Sequence, residues 1–428
     1  MRIAFYLPNK NFANVDCSHP ELGNPGIGGT EYMVVSVVYY LGKLYPRNQE
    51  YVVLANYTDL LPSSVKAVRV ESLTDVPRVM KERQIDLLVL KYALSSMKEL
   101  STKSGLLVDV VFWTHNFVKR QELTLLACEQ RVKAIVCVGT EQLQFYRDHR
   151  AYRKSVVIFN GYPINFFKRH EMASVIPFKQ RGNEVTYMGN LVNYKGFHLL
   201  AQAWKSIVAR VPDAHLNVIG GGTLYSRNSK IGRWGYADEQ YEQMFMPYLL
   251  DDDGRLLPSV TFHGVLGKEK DEVLNITKVG VPNPGGVSET FCITAVEMQL
   301  WGGIVTTIAY GGFLDTVHST GILYDTPAQL ADAVVAQLRK TDNDYAGCMK
   351  FSERFSFENV SKDWITLFDA IEKGNGVDEI LKPAPTERHW FEERNREWKE
   401  LLPLGRLLPT KMFYRSLLLR IPIVKKYV

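Results

Sequence analysis

Short hydrophobic runs alternate with amphipathic segments along most of the chain. In the first half, the runs that predict strands cover residues 2–7, 50–56, 85–90, 108–113, 134–138 and 155–159. In the second half they cover residues 184–188, 215–219, 260–263, 278–281, 304–307 and 322–324. Amphipathic helices are predicted between them, the clearest at residues 32–44, 74–83, 121–131, 271–277, 328–339 and 360–371. Strands that alternate with helices predict parallel sheets covered by helices on both faces, an α/β fold.

The strand pattern is interrupted once, near the middle of the chain. A turn composition, Asn160-Gly161-Tyr162-Pro163, is followed by polar and basic residues up to Arg181, after which a new set of strands begins. The sequence therefore predicts an N-terminal domain over residues 1–165 and a second domain over 166–358. A helical region at 359–382 and a C-terminal extension at 383–428 follow.

A loop rich in proline and glycine, residues 282–286, precedes two spaced glutamates. Ser288 can cap a helix that ends at Gly302-Gly303, which would place Glu289 at the helix N-terminus. Unpaired amide groups there favour an anion. Glu297 would lie about two turns further along the same helix. Two carboxylates so placed can hold different hydroxyl groups of one extended ligand, although solvated glutamates on an amphipathic helix would give the same pattern.

Three further candidates lie in the loops that connect predicted strands to the helices after them, and ligands bind at the carboxyl ends of strands in open α/β sheets. Gly28 and Gly29 open the helix at 32–44 and would let a phosphate approach the backbone, or form only a tight turn. His115 follows the strand at 108–113 and is either functional or structural. Lys195 lies in a loop before a helix, where it could meet a phosphate or remain solvated.

Composition limits the classes of function. The chain has 428 residues, 46% hydrophobic and 23% charged, and its net charge of +5 is too small for its length to indicate nucleic-acid binding. Five cysteines without a CxxC pair favour a reducing compartment and exclude a disulfide framework. The N-terminus lacks a signal peptide and no run reaches a membrane span. We expect a cytoplasmic protein.

These motifs in this order resemble the retaining glycosyltransferases of family 4, the glycogen synthase-like group with two glutamates eight positions apart. The resemblance covers roughly residues 1–375 and extends to bacterial enzymes of polysaccharide and O-antigen synthesis. It is carried by Gly28-Gly29, His115, Lys195-Gly196, the Glu289 to Glu297 segment and Gly311-Gly312. It implies a GT-B fold, two Rossmann-like domains facing across a cleft.

The resemblance also implies roles for individual residues. The first domain would receive the acceptor, and Gly28 and Gly29 would approach the diphosphate of a nucleotide-sugar. Lys195 would neutralise that diphosphate, and Glu297 would hold the ribose hydroxyls. The remaining roles concern the transferred sugar: Glu289 and His115 would contact it, helped by the backbone amides of Phe291, Cys292 and Ile293. Such enzymes retain the anomeric configuration and usually need neither a metal nor another cofactor.

Two departures from the family pattern affect the donor site. Asn190 stands where the family usually has an arginine, so a second cation for the diphosphate would have to come from elsewhere, for example from Arg227 or Arg233. Cys292 replaces a glycine near the donor sugar and would narrow its pocket. The run Asp251-Asp252-Asp253 lies in the long connection at 223–258 and is interpreted as a solvated turn.

The resemblance predicts an enzyme that transfers a hexose from a UDP-sugar to a saccharide or lipid-linked saccharide in cell-surface polysaccharide synthesis. A nucleotide-sugar epimerase or phosphorylase on the same fold, a non-catalytic nucleotide-sugar-binding protein and a dinucleotide oxidoreductase are the alternatives. Residues 411–428 mix apolar and basic side chains. They suit either an anchor on the inner face of the cytoplasmic membrane or a helix packed on the protein.

Overall fold

Two parallel sheets form the frame of the molecule in the computed structural model. The structure describes residues 1–103, 105–222 and 231–418, except for the side chains of residues 406 and 416–418. Strands of the first half are β1 (Arg2–Leu7), β2 (Glu50–Ala55), β3 (Lys66–Arg69), β4 (Leu87–Lys91), β5 (Ser101–Thr102), β6 (Gly105–Leu106), β7 (Val110–Thr114), β8 (Val132–Cys137) and β9 (Ser155–Val157). Seven of them form a sheet in the order β3-β2-β1-β4-β7-β8-β9, while β5 and β6 form a separate antiparallel hairpin.

The second half repeats this arrangement. Its strands are β10 (Glu184–Met188), β11 (His215–Ile219), β12 (Val260–Gly264), β13 (Val279–Gly280), β14 (Ile304–Ile308) and β15 (Ile322–Tyr324). They form one sheet in the order β12-β11-β10-β13-β14-β15, and each described pair in it is parallel. The predicted α/β class with two Rossmann-like domains is confirmed.

Helices cover the faces of both sheets. Those of the first half are α1 (Gly29–Leu44), α2 (Val76–Arg83), α3 (Leu94–Glu99), α4 (Arg120–Cys128), α5 (Thr140–Gln144) and α6 (Ile164–His170). Those of the second half are α7 (Phe197–Arg210), α8 (Glu239–Leu249), α9 (Lys270–Ile276), α10 (Ile293–Leu300), α11 (Phe313–Thr316), α12 (Leu330–Leu338) and α13 (Tyr345–Ser352). The chain then forms α14 (Phe357–Glu372), α15 (Trp390–Leu401) and α16 (Lys411–Leu418).

The long helix α14 returns from the second half and packs against α1 and the first sheet. Its Trp364 side chain is fully buried, 4.9 Å from the ring of Trp113 and 5.7 Å from that of Phe5. The same buried cluster continues into α10 and α13. The two halves therefore share a hydrophobic core around α14, where the chain returns to the first half.

The long connection at 223–258 contains a helix that the hydrophobic pattern did not predict. Helix α8 packs on α7, and its buried Glu242 accepts hydrogen bonds from the backbone amides of Trp234, Tyr236 and Ala237. This buried carboxylate fixes the backbone at residues 234–237 against α8. Residues 223–230 of this connection, including the candidate cation Arg227, lie outside the described residues. Residues 419–428 of the predicted anchor at 411–428 lie outside them as well.

Candidate functional site

The strand order of each sheet reverses direction beside the first strand of its domain, and most of the predicted site residues lie in loops near these two points. In the first sheet β1 lies between β2 and β4, and in the second β10 lies between β11 and β13. Open α/β sheets bind ligands at the carboxyl ends of strands beside such a switch point. Lys195 follows β10 and Glu289 follows β13, so the two lie on either side of the second switch point.

The segment that contains Glu289 is not a helix start, which corrects one prediction. Helix α10 begins at Ile293 with Cys292 as its N-cap, and Ser288 has a φ of +58° without a capping role. Tertiary contacts account for the shift, because the carbonyl of Glu289 accepts a hydrogen bond of 3.0 Å from the amide of Gly312. Glu289 therefore lies in the loop before α10, and Glu297 alone lies within the helix.

Glu289 is held by two residues at one of its oxygens. The ammonium of Lys195 lies 2.8 Å from Oε2, and the side-chain amide of Asn283 donates to the same oxygen at 2.9 Å. Glu289 is buried, whereas Lys195 retains partial exposure. No hydrogen bond from the described residues reaches Oε1 of Glu289, so this atom can accept from a hydroxyl of a ligand.

Close backbone packing brings Lys195 and Glu289 together. Gly196 has a φ of +70°, and a Cβ on it would lie 2.7 Å from the backbone nitrogen of Gly285. A side chain at this position would separate the lysine loop from the loop at 282–286. On the opposite side, a Cβ on Gly312 would come within 2.5 Å of the backbone of Phe291. Glycine at both positions allows three loops to converge on one carboxylate.

His115 lies at the carboxyl end of β7, next to Trp113, with ring centroids 4.8 Å apart. Burial lowers the pKa of His115 to about 3, and repulsion from Lys91 contributes to this shift. The ring is therefore neutral near pH 7. Its Nε2 atom is enclosed and has no hydrogen-bond partner among the described residues.

Three asparagines that follow strands of the two sheets share this feature. The side-chain carbonyl oxygens of Asn160, Asn190 and Asn283 are buried and have no partner within the described ranges. An unsatisfied buried polar atom costs about 1–3 kcal/mol and usually marks a site for water or a ligand. Asn283 was missed by the sequence reasoning, which treated residues 282–286 only as a helix-breaking loop.

Glu297 forms a second buried cluster. Its Oε1 lies 3.4 Å from the ammonium of Lys270, and the hydroxyl of Tyr162 donates a hydrogen bond to its carboxylate. Burial raises the pKa of Glu297, and the nearby positive charge of Lys270 opposes this effect. Sequence reasoning missed Lys270 and the role of Tyr162, because neither stands in a motif.

The remaining predicted donor-site residues are placed as follows. Gly28 is the N-cap of α1, Gly29 is its first residue, and the carboxylate of Glu31 folds back towards Gly28. Burial raises the pKa of the Cys292 thiol to about 12, and repulsion from Glu289 adds to it, so the thiol is neutral. Phe291 is buried against Phe355, at 5.2 Å between ring centroids.

The two halves contact each other at the site. The hydroxyl of Thr290 donates to the backbone carbonyl of His115 at 2.7 Å, and the backbone amide of Thr140 donates to Oδ2 of Asp315 at 2.7 Å. The loop that carries Glu289 is thus joined directly to the loop that carries His115. The candidate site is therefore bordered by loops of both halves.

Arg233, a predicted second cation, lies on the surface over the ring of Trp234, 4.9 Å from its centroid. Asp251 and Asp253 form ion pairs with Arg255 in an exposed turn. Within the described ranges, no group of three or more His, Cys, Asp or Glu side chains could hold a metal ion. None of the described helices is both long enough and apolar enough to cross a membrane.

Comparison with known proteins agrees with this architecture. Residues 168–355 match the model of the family described as glycosyl transferases group 1. The fold is GT-B. The predicted GT-B class is thereby confirmed, and the matched segment includes Lys195, Glu289 and Glu297 of the second domain. No sequence among the curated proteins matches the chain significantly.

Solved structures with the GT-B fold resemble most of the chain, across both domains. A glycosyltransferase from Rickettsia africae has a TM-score of 0.63 and 13% identity, covering 87% of this chain and 99% of its own. Sucrose-phosphate synthase from Thermosynechococcus elongatus has a TM-score of 0.60 and 15% identity, covering 87% and 100%. HepE from Anabaena, in complex with UDP and glucose, has a TM-score of 0.59 and 14% identity, covering 86% and 100%. At these identities the likeness establishes the fold alone.

Proposed function

We propose that this protein is a retaining glycosyltransferase that moves a sugar, a hexose in our proposal, from a UDP-sugar to a saccharide or lipid-linked saccharide acceptor in cell-surface polysaccharide synthesis. The observation that carries the proposal is the convergence of Lys195, Glu289 and neutral His115 where the two domains meet. A cation, a carboxylate with an open oxygen and an uncharged imidazole suit a charged leaving group and a neutral sugar.

Each side chain has a defined task in this reaction. Departure of the nucleoside diphosphate builds negative charge, which Lys195 stabilises by its fixed position. Glu289 accepts hydrogen bonds from hydroxyls of the transferred sugar through Oε1. His115 remains neutral and can hydrogen-bond the sugar without repelling the positive charge that develops at its anomeric carbon. The acceptor attacks from the face that the diphosphate leaves, and the departing phosphate takes its proton, which retains the configuration.

We also propose that the donor carries a uridine nucleotide and that transfer needs no metal ion. The likeness to HepE, whose structure contains UDP and glucose, supports a uridine nucleotide. Glu297 would bind the ribose hydroxyls. In our proposal the ammonium of Lys195 supplies the electrostatic stabilisation that a divalent metal provides elsewhere, in a cytoplasmic enzyme that works at the inner membrane surface.

Calorimetric titration of the purified protein with UDP, GDP and ADP in excess chelator tests the donor site. We expect UDP to bind most tightly, with an affinity that added Mg²⁺ does not change. Binding of none of the three nucleotides would contradict the proposed donor site. Binding that requires Mg²⁺ would contradict only metal independence.

A nucleotide-sugar epimerase on the same fold is the main rival. It would convert a UDP-sugar without an acceptor, whereas a transferase releases UDP in proportion to acceptor. Incubating the protein with UDP-sugars alone and then with saccharide acceptors separates the two. Turnover of the free UDP-sugar to its epimer would overturn the proposed transfer.

A further inference from the structure

The lysine loop of the second domain lacks the second cation that the family resemblance implies, because Asn190 stands at its position. Lys195 lies beside Glu289, and Arg233 lies on the surface over the ring of Trp234. A nucleoside diphosphate carries more than one negative charge at neutral pH, so Lys195 alone leaves part of this charge unbalanced. A further cation is therefore expected from another part of the protein.

Lys91 is the last residue of β4, and its strand lies between the two strands that lead to the site residues of the first domain. The sheet order places β4 between β1, which precedes the loop of Gly28, and β7, which precedes His115. These three strands are parallel, so their carboxyl ends lie at one edge of the sheet, where ligands of open α/β sheets bind. The backbone therefore places Lys91 between Gly28 and His115.

The side chain of Lys91 lies near both of these neighbours. Its ammonium is 3.8 Å from Oε1 of Glu31, whose carboxylate folds back towards Gly28 at the N-terminus of α1. Burial lowers the pKa of His115, and the positive charge of Lys91 adds to this shift. One cation thus acts on both first-domain elements of the proposed site.

Glu31 holds Lys91 only weakly. Their separation of 3.8 Å is longer than a hydrogen bond, and 43% of the lysine side chain is exposed. Exposed ion pairs of this kind contribute little to stability. A ligand anion can therefore compete with Glu31 for the ammonium of Lys91.

The second domain has a pair of the same kind, since the ammonium of Lys195 lies 2.8 Å from Glu289. The hydroxyl of Thr290 donates to the backbone carbonyl of His115, which joins the loop of Glu289 to the sheet edge that carries Lys91. Each domain therefore presents one lysine beside a glutamate close to the boundary between the domains.

We infer that Lys91 is the second cation of the donor site and contacts the diphosphate of the nucleotide-sugar from the first domain. This inference rests on the proposed function and deepens it, because it assigns a donor-binding residue outside the segment at 168–355 that the family model matches. A lysine suits the task because it acts on a phosphate as a point charge on a flexible stem. The leaving diphosphate is then stabilised from both domains.

Calorimetric titration of the full chain with UDP and with uridine tests this inference, because uridine lacks the diphosphate. The variant Lys91→Met removes the charge and keeps most of the length of the side chain. Lys91→Arg restores a positive charge. The matched control is Lys81→Met, which removes an exposed lysine from α2, the helix that precedes the amino end of β4.

We expect Lys91→Met to weaken UDP binding by roughly fivefold and to leave uridine binding within about twofold of wild type. Lys91→Arg and Lys81→Met should bind UDP within about twofold of wild type. Equal losses of Lys91→Met for UDP and uridine would overturn the inference. Unchanged UDP affinity of this variant would also overturn it, and a raised KM for a charged acceptor would then assign Lys91 to the acceptor.

Failure of this inference can be distinguished from failure of the proposed function. If wild type binds UDP and Lys195→Ala weakens that binding while Lys91→Met does not, only the role of Lys91 is wrong. If wild type binds neither UDP nor uridine, the donor site itself is wrong, and the inference falls with it.

Discussion

Lys195 and Glu289 form an ion pair in the absence of a ligand. A substitution of either residue therefore changes the charge that the other presents to the donor. The pair is 2.8 Å apart and partly withdrawn from water, so a substitution of either residue removes an ion pair from the site. A diphosphate would compete with Glu289 for the lysine. We therefore expect substitutions of Lys195 to change mainly nucleotide affinity and substitutions of Glu289 to change mainly turnover.

Glu289→Gln should lower turnover by roughly a hundredfold, because it removes a charged acceptor for the sugar hydroxyls. The affinity for UDP should stay unchanged or rise, since the diphosphate no longer competes with a negatively charged Glu289 for Lys195. Lys195→Ala should weaken UDP binding by roughly tenfold. Steady-state kinetics and calorimetry measure both effects, and Lys268→Ala, which removes an exposed lysine, serves as the control. Full activity of Glu289→Gln on every donor would contradict the assignment.

Lys270→Met should weaken UDP binding because Lys270 holds Glu297, the proposed ribose acceptor. The loss, roughly tenfold, should shrink with 2′-deoxy-UDP, which lacks one of the hydroxyls that Glu297 would bind. Lys270→Arg should retain most of the affinity. Equal losses for the two nucleotides, measured by calorimetry, would mean that Lys270 does not act through Glu297.

His115 predicts a pH dependence of stability. Its pKa is about 3 in the folded protein and 6.5 ordinarily, so between these values the unfolded chain binds a proton that the folded protein does not. The free energy of unfolding should therefore fall as pH drops below 6.5, by up to about 1.4 kcal/mol per pH unit from this residue. His115→Gln should show a shallower fall in urea unfolding measured at successive pH values. Parallel curves for the two proteins would contradict the low pKa.

At the scale of elements, α14 is the helix that ties the second half to the first sheet. Its apolar side is buried against β1 and β7, with Trp364 in edge contact with Phe5 and Trp113. Sequence periodicity predicted this helix nearly correctly, at 360–371 against the observed Phe357–Glu372. Sequence periodicity does not specify which of the two sheets this helix packs against.

Trp364→Ala should destabilise the protein by about 3–5 kcal/mol, because it opens a cavity in the shared core. Trp390→Ala removes the same side chain from an exposed position and should change the free energy of unfolding by less than about 0.5 kcal/mol. Urea unfolding of both variants checks the contrast. Similar losses in the two would mean that α14 contributes little to the core.

At the scale of the whole molecule, the site depends on contact between two domains. Thr290 follows Glu289 directly, and its hydroxyl donates a hydrogen bond to the carbonyl of His115 across the domain boundary. This hydrogen bond sets the distance between the loop of the proposed sugar-binding carboxylate and the loop of the neutral imidazole.

Thr290→Val should keep the packing but lose the hydrogen bond, which lowers turnover by roughly tenfold while UDP affinity remains within about twofold. Thr290→Ser keeps the hydroxyl and should retain activity. Small-angle scattering of the free proteins should show a more open Thr290→Val. If valine and serine variants behave alike in both measurements, the domain contact is not set by this hydroxyl.

The sequence by itself determined the two α/β domains, their strand order along the chain and the residue types at the strand ends, because burial and turn formation are local properties of a sequence. Strands such as Glu184–Met188 and His215–Ile219 were predicted at their observed bounds. Only tertiary structure decided where α10 begins, since a hydrogen bond from distant Gly312 holds Glu289 out of the helix. It also brought Lys270 and Tyr162 to Glu297. These contacts join residues that lie far apart in the chain. Their energies depend on distances and angles in the folded protein, which a local sequence pattern does not determine.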